Sequence, residues 1–481
     1  MKSILLAAGL ASFATLSNAQ DCASTLSANY TAPILADGYR ATLIANQLET
    51  PRSLKFDSAG HLLMLQRSYG IVSFTLTGTA PCLTVSSTKD ILANTSVNHG
   101  LELSRDGRTL YASDPNGVYA WNYDAERQEL TSDARRVVTT GSTADGHDTR
   151  TLLMSRQVDN MLLVHWGSQG NIDPQALNRS TGISSIKAFN VSDPSVSYDY
   201  ASEGILMGWG LRNSVGFGEN PVTGGIFSVE NNVDELKREG RDIHKNNPAE
   251  ELNFHGYLNG TEYANQGANF GYPSCFPAWD ASSVPGYDGL KTGQQFAIGD
   301  QNDTVNDNIC REGTVPPQLS FAAHMAPLDI KFNTEATVAW VTFHGSWNRD
   351  DPQGYKLSAI PFDNSTGLPL AAPDSNAGYV DIMSNQDLSE CPDGCFRPVS
   401  LAWNSEGMLF MTSDSTGELY LISTSDNTPL NDAPPPTLTN GGESPPTSPS
   451  EPSSTPGAAS VGYVPDSWFV GLVFLVISYI L

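Results

Sequence analysis

Several strings of this sequence combine cations, imidazoles and amide or carboxylate oxygens, which are groups that bind anions, move protons and hold metal ions. The string MGWGLRNSVGF places Arg212 and Asn213 among glycines and apolar residues, and SVENNVDEL contains Glu230, Asn231 and Asn232. A planar guanidinium binds carboxylates through two parallel hydrogen bonds, and closely spaced oxygen donors suit Ca²⁺. Together the two strings predict a site for a small polyanion and a divalent cation.

Other strings add further candidates. They are His147 and Arg150 in DGHDTRTLLM, His324 in AAHMAPLDIKF, Trp347, Asn348 and Arg349 in HGSWNRDDPQGYK, and Arg397 in CFRPVSLAW. A histidine can act as a general base near neutral pH. Each residue alone also fits a structural role: a lone histidine is more often a hydrogen-bonded loop residue, an arginine an ion-pair partner, a tryptophan a packing residue, and VENNVDE an Asx-rich turn. Function therefore depends on whether the fold brings these residues together.

A recurring pattern, a polar turn followed by an apolar strand, indicates how the fold does so. The copies lie at residues 56–67, 103–114, 154–166, 219–230, 332–345 and 403–414. Their starts are 47, 51, 65, 113 and 71 residues apart, and one four-stranded propeller blade takes about 40 to 50 residues. Helical periodicity is rare. The sequence predicts an all-β, six-bladed β-propeller with a long insertion at 231–320 on one face; a β-sandwich or two-domain β protein is the alternative.

A propeller would place the candidate residues at one mouth of its central channel. They stand at similar positions in successive repeats, in the segments that enter or leave the inner strands. Ligands of such folds are expected at this mouth, and radial repetition protects the sheet edges. Several cations and oxygen donors at one mouth make a shared binding site a stronger interpretation than a set of unrelated structural residues.

The two ends of the chain predict extracellular placement. Residues 1–19 read as a secretory signal peptide, and seven N-x-S/T sequons fit a glycosylated surface. Residues 20–424 would form the propeller, and residues 425–460, rich in Pro, Ser and Thr, a disordered stalk. Residues 461–481 end in an apolar run shorter than the roughly 20 residues of a spanning helix. This pattern favours a GPI-attachment signal over a plain anchor or a buried helix.

Charge and cysteine content narrow the possible partners and the compartment. The chain has 52 acidic and 26 basic residues, a formal net charge of -26, which argues against nucleic acid and anionic membrane surfaces as partners. Six cysteines allow 15 pairings, and the sequence alone does not choose among them. Proximity favours Cys391 with Cys395 and Cys275 with Cys310, which leaves Cys22 with Cys82. No cysteine or histidine cluster has zinc spacing.

The quoted strings resemble the pyrroloquinoline quinone (PQQ) dependent pyranose dehydrogenases of fungi, relatives of bacterial L-sorbosone dehydrogenases and, more distantly, of soluble PQQ glucose dehydrogenases. The similarity runs in the same order from about residue 35 to 425. It includes GWGLRNSVGF, SVENNVDEL, GANFGYP, HMAPLDIKF, HGSWNRDDPQGYKLSAIPF and FRPVSLAWNSEGMLFMTSD. The resemblance implies a six-bladed propeller that binds PQQ and Ca²⁺, in agreement with the repeat count.

The resemblance also implies roles for the candidates. His147 would be the general base, and Arg397 would lie over the quinone and stabilise charge during catalysis. Carbonyl oxygens of Asn231 and Asn232, with Glu230 beside them, would bind Ca²⁺, which polarises the quinone. The remaining candidates would line the PQQ pocket, namely Arg150, Arg212, Asn213, His324, Trp347, Asn348 and Arg349.

The activity implied is oxidation of the anomeric C1 hydroxyl of a pyranose to a lactone, with electrons passed to an acceptor other than oxygen. Implied substrates are L-fucose, L-galactose, D-arabinose and 2-keto-D-glucose; implied acceptors are a cytochrome domain or a copper polysaccharide monooxygenase. The protein is expected to be a monomer, attached to the membrane only through the GPI anchor. The sequence departs from soluble glucose dehydrogenases, which carry Gly-Pro at 231–232 and lack HGSWNR, so glucose is disfavoured. It contains no CxxCH motif. A Ca²⁺-dependent propeller hydrolase such as a lactonase, and a non-catalytic sugar-binding propeller, are the alternatives.

Overall fold

The structure of the protein is a computed structural model that describes residue 22, residues 26–141 and residues 146–438. The chain divides into one unit that ends at Leu438 and a second from Thr439 to Leu481. The predicted signal peptide, the stalk beyond residue 438 and the predicted GPI signal lie outside the described residues. Among the described residues, no helix is both long and apolar enough to span a bilayer.

Six antiparallel sheets form the blades of a propeller around a central channel. Two strands precede blade 1, the two-residue β1 (Ile34–Leu35) and the seven-residue β2 (Tyr39–Ala45). Blade 1 contains β3 (Pro51–Phe56), β4 (Leu62–Gln66), β5 (Gly70–Thr77) and β6 (Thr84–Ala93). Blade 2 contains β7 (Leu101–Leu103), β8 (Thr109–Asp114), β9 (Gly117–Asp124), β10 (Glu129–Leu130) and β11 (Arg135–Thr139). Blade 3 contains β12 (Leu152–Met154), β13 (Met161–Trp166), β14 (Ser185–Asn190) and the outer strand β16 (Ile205–Trp209). Between β14 and β16 the chain forms β15 (Tyr198–Asp199), which pairs with β11 of blade 2.

Blade 4 carries the insertion. Its segment contains β17 (Ser214–Glu219), β18 (Gly225–Glu230), β19 (Lys237–Arg238), β20 (Arg241–Asp242), β21 (Glu250–Tyr257), β22 (Cys275–Pro277), β23 (Gln295–Ala297), helix α1 (Asp307–Gly313) and β24 (Leu319–Phe321). The blade itself is β17-β18-β21-β24; β19 pairs with β20 and β22 with β23 outside it. The third strand of the blade, β21, therefore lies inside the predicted insertion, which is interrupted by the sheet.

The remaining blades complete the ring. Blade 5 contains β25 (Pro327–Phe332), β26 (Val338–Phe343), β27 (Lys356–Asp363), β28 (Leu368–Pro369) and β29 (Val380–Ser384). Blade 6 contains β30 (Pro398–Trp403), β31 (Leu409–Ser413) and β32 (Glu418–Thr424). Its fourth strand is the N-terminal β2, which pairs with β32 and closes the ring. Short 3₁₀ helices occupy residues 174–177, 179–181, 281–283 and 388–390.

The predicted six-bladed propeller is confirmed, and each repeat of the sequence is the hairpin that joins the first two strands of a blade. In the first repeat, the Asp57 carboxylate accepts hydrogen bonds from the backbone N–H groups of Ala59 and His61, and Gly60 takes a positive φ of 86° in the turn. Strand β4 then follows with all five residues buried. Because both faces of a blade pack on neighbouring blades, such strands consist of consecutive apolar residues rather than an alternating pattern.

The innermost strands surround a cavity of about 40 Å³ lined by residues of all six blades. Side chains tie neighbouring inner strands: the Thr151 hydroxyl donates to the Val215 carbonyl at 2.8 Å, and the Leu401 N–H donates to the Asp329 carboxylate at 2.8 Å. These contacts fix the inner ends of the blades relative to one another. They position the segments that lead into the inner strands.

Three disulfide bonds cross-link the chain: Cys22–Cys82, Cys275–Cys310 and Cys391–Cys395. They are the pairs that sequence proximity favours. After β32 ends at Thr424, the chain continues along the propeller, where Leu430 is buried among residues of blades 5 and 6.

Candidate active site

The candidate residues meet at one end of the channel. Each blade begins at the channel with its first strand, so the residues just before β12, β17, β25 and β30 lie at the same end; this end is called the mouth below. The residues that follow the second strands of the blades return to it. His147, Arg212, His324 and Arg397 reach the mouth by the first route, and the loop after β26 by the second.

His147 is held in one orientation by Ser168. Its Nδ1 lies 3.1 Å from the Ser168 carbonyl oxygen and 2.9 Å from the Ser168 hydroxyl. A neutral imidazole whose Nδ1–H is directed at a carbonyl has its basic lone pair on Nε2. Burial, and after it the positive charge of Arg212, lowers the pKa of His147 well below the ordinary value. The side chain is therefore neutral at neutral and mildly acidic pH, as a general base must be.

Arg150 lies buried behind His147. Its guanidinium donates to the carbonyl oxygens of Pro115 at 2.7 Å and of His147 at 2.9 Å, and lies over the Trp166 ring at 5.7 Å. These contacts place Arg150 in the framework that fixes the backbone at His147. Its contact with a cofactor stays a prediction.

Asp234 joins three of the candidate residues. Its Oδ2 lies 2.9 Å from Arg212 Nη2, and its Oδ1 accepts a hydrogen bond from Asn348 Nδ2 at 3.0 Å and lies 3.6 Å from His324 Nδ1. Arg212 precedes β17, His324 precedes β25 and Asn348 follows β26. One carboxylate therefore holds together the mouth ends of blades 4 and 5.

Arg397 is held differently. Its guanidinium donates to the carbonyl oxygens of His344 at 3.1 Å and Gly345 at 2.9 Å and lies 5.5 Å from the Tyr355 ring centre. Within residues 26–141 and 146–438, it has no carboxylate at ion-pair distance. Arg397 therefore keeps its full positive charge at the mouth.

The other members of the HGSWNR loop are anchored unequally. Trp347 is 47% exposed, so it is not a core residue. Arg349 is half-buried, and its guanidinium donates to the carbonyl oxygens of Lys245 at 2.8 Å and Ala323 at 3.2 Å. The loop therefore carries an exposed indole and a cation on a backbone that Asn348 anchors to Asp234.

The donor and acceptor set of the mouth suits an anionic ligand that also carries hydrogen-bond donors. Arg212, Arg349 and Arg397 supply three guanidinium groups. The side-chain oxygens of Asn213 and Asn348 are buried and have no hydrogen-bond partner in the protein. A buried polar atom without a partner is costly, so these two oxygens indicate a place that a ligand or water completes.

The residues predicted to bind Ca²⁺ use their side chains within the protein. The Glu230 carboxylate accepts from the Asn213 N–H at 3.2 Å and from the Ser214 hydroxyl. The Asn232 amide donates to the Ala249 carbonyl at 2.9 Å and to Glu251 at 2.7 Å. In the described part of the chain, no three His, Cys, Asp or Glu side chains are grouped to hold a metal.

This geometry leaves side-chain ligation by Glu230 and Asn232 unsupported. The Asn231 side chain is also engaged, since its amide donates to the Pro327 carbonyl at 2.8 Å. Carbonyl ligation at Asn231 and Asn232 stays a prediction.

Sequence reasoning did not assign a role to Asp234, Asp414 or His344. The His344 Nε2 lies 2.7 Å from Asp414 Oδ1, and Arg52 Nη1 lies 2.6 Å from Asp414 Oδ2. Asp234 and His344 stand within quoted strings, but Asx-rich turns and loop histidines give no signal that tells a tertiary anchor from a surface residue. Asp414 and Arg52 are 362 residues apart in sequence, so no local pattern links them.

Comparison with known proteins gives consistent matches. The TrAA12-like family matches residues 33–425. A pyrroloquinoline quinone-dependent sugar dehydrogenase of Hypocrea jecorina is 44% identical over 412 residues, which cover 85% of this chain and 93% of that protein. A pyrroloquinoline quinone-dependent pyranose dehydrogenase of Coprinopsis cinerea is 34% identical over 81% of this chain, which spans about half, 54%, of that protein's length.

Two solved structures show the same fold. The calcium structure of a Trichoderma reesei enzyme of carbohydrate-active family AA12 is 45% identical, with a TM-score of 0.81 over 84% of this chain and 100% of that one. The holo form of the Coprinopsis cinerea pyranose dehydrogenase PQQ domain is 33% identical, with a TM-score of 0.77 over 83% of this chain and 99% of that one.

Replacing Asp234 tests its role as an anchor. Asp234→Ala leaves the mostly buried Arg212 without its carboxylate, and hydrogen bonds to charged groups contribute about 1.5–3 kcal/mol each. We expect the free energy of unfolding to fall by about that amount in urea denaturation. Asp159→Ala is the control, since it removes the partner of Arg105 in an exposed ion pair and should change stability little. Equal effects of the two substitutions would contradict the role of Asp234.

Buried titratable groups predict an acidic optimum of stability. Burial lowers the pKa of six histidines, namely His99 to about 3, His255 to about 3, His344 to about 4, His147 and His165 well below the ordinary value, and His324. Burial also raises the pKa of four glutamates, namely Glu230 to about 7, Glu250 to about 8, Glu251 well above the ordinary value, and Glu418.

The stability of the protein depends on pH because the folded and the unfolded chain bind different numbers of protons. A lowered histidine pKa means that the unfolded chain binds protons first, so stability falls below about pH 6.5. A raised glutamate pKa means that the folded protein keeps protons longer, so stability falls as pH rises above about 4.5. We expect maximal stability between about pH 4.5 and 6.5, measured by urea denaturation from pH 3 to 9 with a chelator present. A maximum above pH 7 would show that these groups do not control stability.

Proposed function

The chain belongs to the TrAA12-like family, and on that premise we propose that it is a PQQ-dependent sugar dehydrogenase that oxidises the anomeric C1 hydroxyl of pyranoses to lactones. The names of the relatives from Hypocrea jecorina and Coprinopsis cinerea support PQQ-dependent oxidation of a sugar. The observation that carries the proposal for this chain is the meeting of a neutral imidazole, three guanidinium groups and two unpartnered amide oxygens at one mouth.

The residues that would hold PQQ are those whose chemistry complements a flat, anionic quinone. Arg212, Arg349 and Arg397 would bind its negative charge, and Asn213 and Asn348 would orient it. PQQ, when bound, would supply the two-electron acceptor for the hydride that leaves C1 of the sugar. Preorganised charges such as these act strongly because the protein holds them in place before the reaction.

His147 would take the proton of the C1 hydroxyl at Nε2. Ser168 fixes the ring through Nδ1, so the accepting nitrogen is set before the sugar arrives. Burial keeps the ring neutral in the acid range. Arg150 holds the backbone of this segment and so would position the base without touching the substrate.

Calcium is a further part of the proposal. The backbone carbonyl oxygens of Asn231 and Asn232 are the ligands we propose, because their side chains bind within the protein. Oxygen ligands from the main chain are common at Ca²⁺ sites. The calcium structure of the Trichoderma reesei relative supports a test with this ion.

We propose that the enzyme acts at the cell surface. The support is the signal-peptide pattern at 1–19, the sequons, and the GPI-signal pattern at 461–481. L-Fucose, L-galactose, D-arabinose and 2-keto-D-glucose are the substrates proposed, and a cytochrome domain or copper polysaccharide monooxygenase the acceptor.

Loading the purified protein tests the function. With PQQ and Ca²⁺ added, we expect reduction of an artificial electron acceptor that depends on one of the four sugars and is lost without PQQ. The control is the same protein with Ca²⁺ alone. Lactone hydrolysis without PQQ would instead indicate a propeller hydrolase, and sugar binding without either reaction a non-catalytic receptor.

Replacing His147 tests the base. Because general-base assistance is worth about 10²- to 10⁴-fold, His147→Ala should lower turnover at least about 100-fold and still bind PQQ in calorimetry. His61→Ala is the matched control: His61 lies in the β3–β4 hairpin at the opposite end of the channel and pairs with Asp57. Turnover of His147→Ala equal to that of the control would remove His147 from the mechanism.

A further inference from the structure

The arginines of the mouth differ in how much of their charge remains available. Arg212 has a carboxylate partner, because Asp234 lies 2.9 Å from its guanidinium. Arg397 is bound by the neutral carbonyl groups of His344 and Gly345. In a chain with 52 acidic residues, a partly exposed arginine without a carboxylate partner requires an explanation.

Asp414 is the acid that would be expected to pair with Arg397. Its backbone N–H donates to the Arg397 carbonyl at 3.3 Å, since the two residues lie at the mouth ends of adjacent strands of blade 6. The pKa of Arg397 is lowered first by burial, and the Tyr355 and Asp414 side chains act against this shift. Asp414 is therefore close enough to Arg397 to interact electrostatically.

Both oxygens of Asp414 are engaged elsewhere. Oδ1 lies 2.7 Å from His344 Nε2, and Oδ2 lies 2.6 Å from Arg52 Nη1. All three side chains are buried, and they come from blades 6, 5 and 1. Arg52 and the ionised Asp414 neutralise each other, and His344 uses the remaining oxygen.

We propose that Arg52 and His344 hold the carboxylate of Asp414 away from Arg397, so that Arg397 keeps its charge for an anionic ligand. Their side chains have a positioning role, because they act on Arg397 only through Asp414; the direct contact of His344 with Arg397 is made by its backbone carbonyl. This inference rests on the proposed function in so far as the anionic ligand is PQQ. It goes beyond that function by giving a cause for the unpaired state of Arg397.

The cluster of Arg52, Asp414 and His344 is called the clamp. A clamp that only stabilises the fold makes a different prediction from one that keeps Asp414 away from Arg397. If the three side chains only join blades, Asp414→Asn also weakens the site, because it leaves the buried Arg52 without its carboxylate partner. If the clamp keeps Asp414 from Arg397, loss of His344 harms anion binding only while Asp414 is charged. Removing that charge in the same protein then restores binding.

The experiment is a double-mutant cycle on PQQ affinity, measured by calorimetry with calcium supplied. His344→Leu releases one oxygen of Asp414 and should weaken PQQ binding by about 10- to 100-fold, the usual effect of losing one charged partner. Asp414→Asn should bind PQQ at least as tightly as the unaltered protein. The double variant H344L/D414N should return to within about threefold of it, since 0.5 kcal/mol is near the limit of additivity.

Controls separate this effect from loss of stability. His344→Gln, whose side-chain amide can still donate to Asp414, should retain the affinity. Asp307→Asn breaks the buried ion pair with Arg238 in the insertion and should lower stability without changing PQQ affinity. If His344→Leu does not fold, Arg52→Gln alone and with Asp414→Asn gives the same cycle through the other oxygen. A double variant that binds no better than the single one would overturn the proposal.

A second readout does not depend on PQQ. Phenylglyoxal modifies arginines that lack a carboxylate partner faster than paired ones, and peptide mass spectrometry reports the rate at Arg397. The rate should fall in His344→Leu and recover in H344L/D414N. Absence of PQQ binding in the unaltered protein would refute the proposed function, whereas an unchanged labelling rate in His344→Leu would refute this inference.

Discussion

Keeping positive charge at the channel mouth is the constraint on which the site depends. The chain has twice as many acidic as basic residues, 52 against 26. A guanidinium in this protein is therefore expected to form an ion pair with a carboxylate. The mouth contains two arrangements. Arg212 shares Asp234 with neighbouring loops and is fixed in position, whereas Arg397 is held by carbonyl groups and remains charged. The Arg212–Asp234 pair fixes the positions of the loops at the mouth, and Arg397 supplies positive charge there.

The fold could largely be predicted because its signals are local. A tight turn with Asp and Gly followed by consecutive apolar residues marks each inner hairpin, and Asp57, Ala59, Gly60 and β4 show why. The insertion was less predictable. Strand β21 reads EELNFHGY, and Glu250 and Glu251 are buried in it through hydrogen bonds from Asn232. A strand whose polar residues are satisfied only by tertiary contacts has no apolar pattern to reveal it.

The site was predictable in part for the same reason. Arg212, His324, Asn348 and Arg397 stand in distinctive strings next to inner strands, and the structure brings them to one mouth. Their anchors were not predictable, because the Arg52 and Asp414 contact joins positions 362 residues apart. The side-chain amide of Asn232 supports the loop through the Ala249 carbonyl, and ligation of Ca²⁺ by the backbone carbonyl of Asn232 stays a prediction.

Blade 6 is closed by the N-terminal strand β2, so the propeller is complete only after the end of the chain has been synthesised. Tyr39 of β2 pairs with Thr424 of β32, so β2, one of the first strands to be synthesised, has no partner until the last strand has been synthesised. Until then blade 6 lacks its third strand, β32, and both β2 and β31 expose an unpaired edge of the kind that promotes aggregation. A translation product that stops before residue 418 lacks β32 and cannot complete the ring. Only a chain that includes β32 pairs β2 with β31 through a shared strand and so completes blade 6.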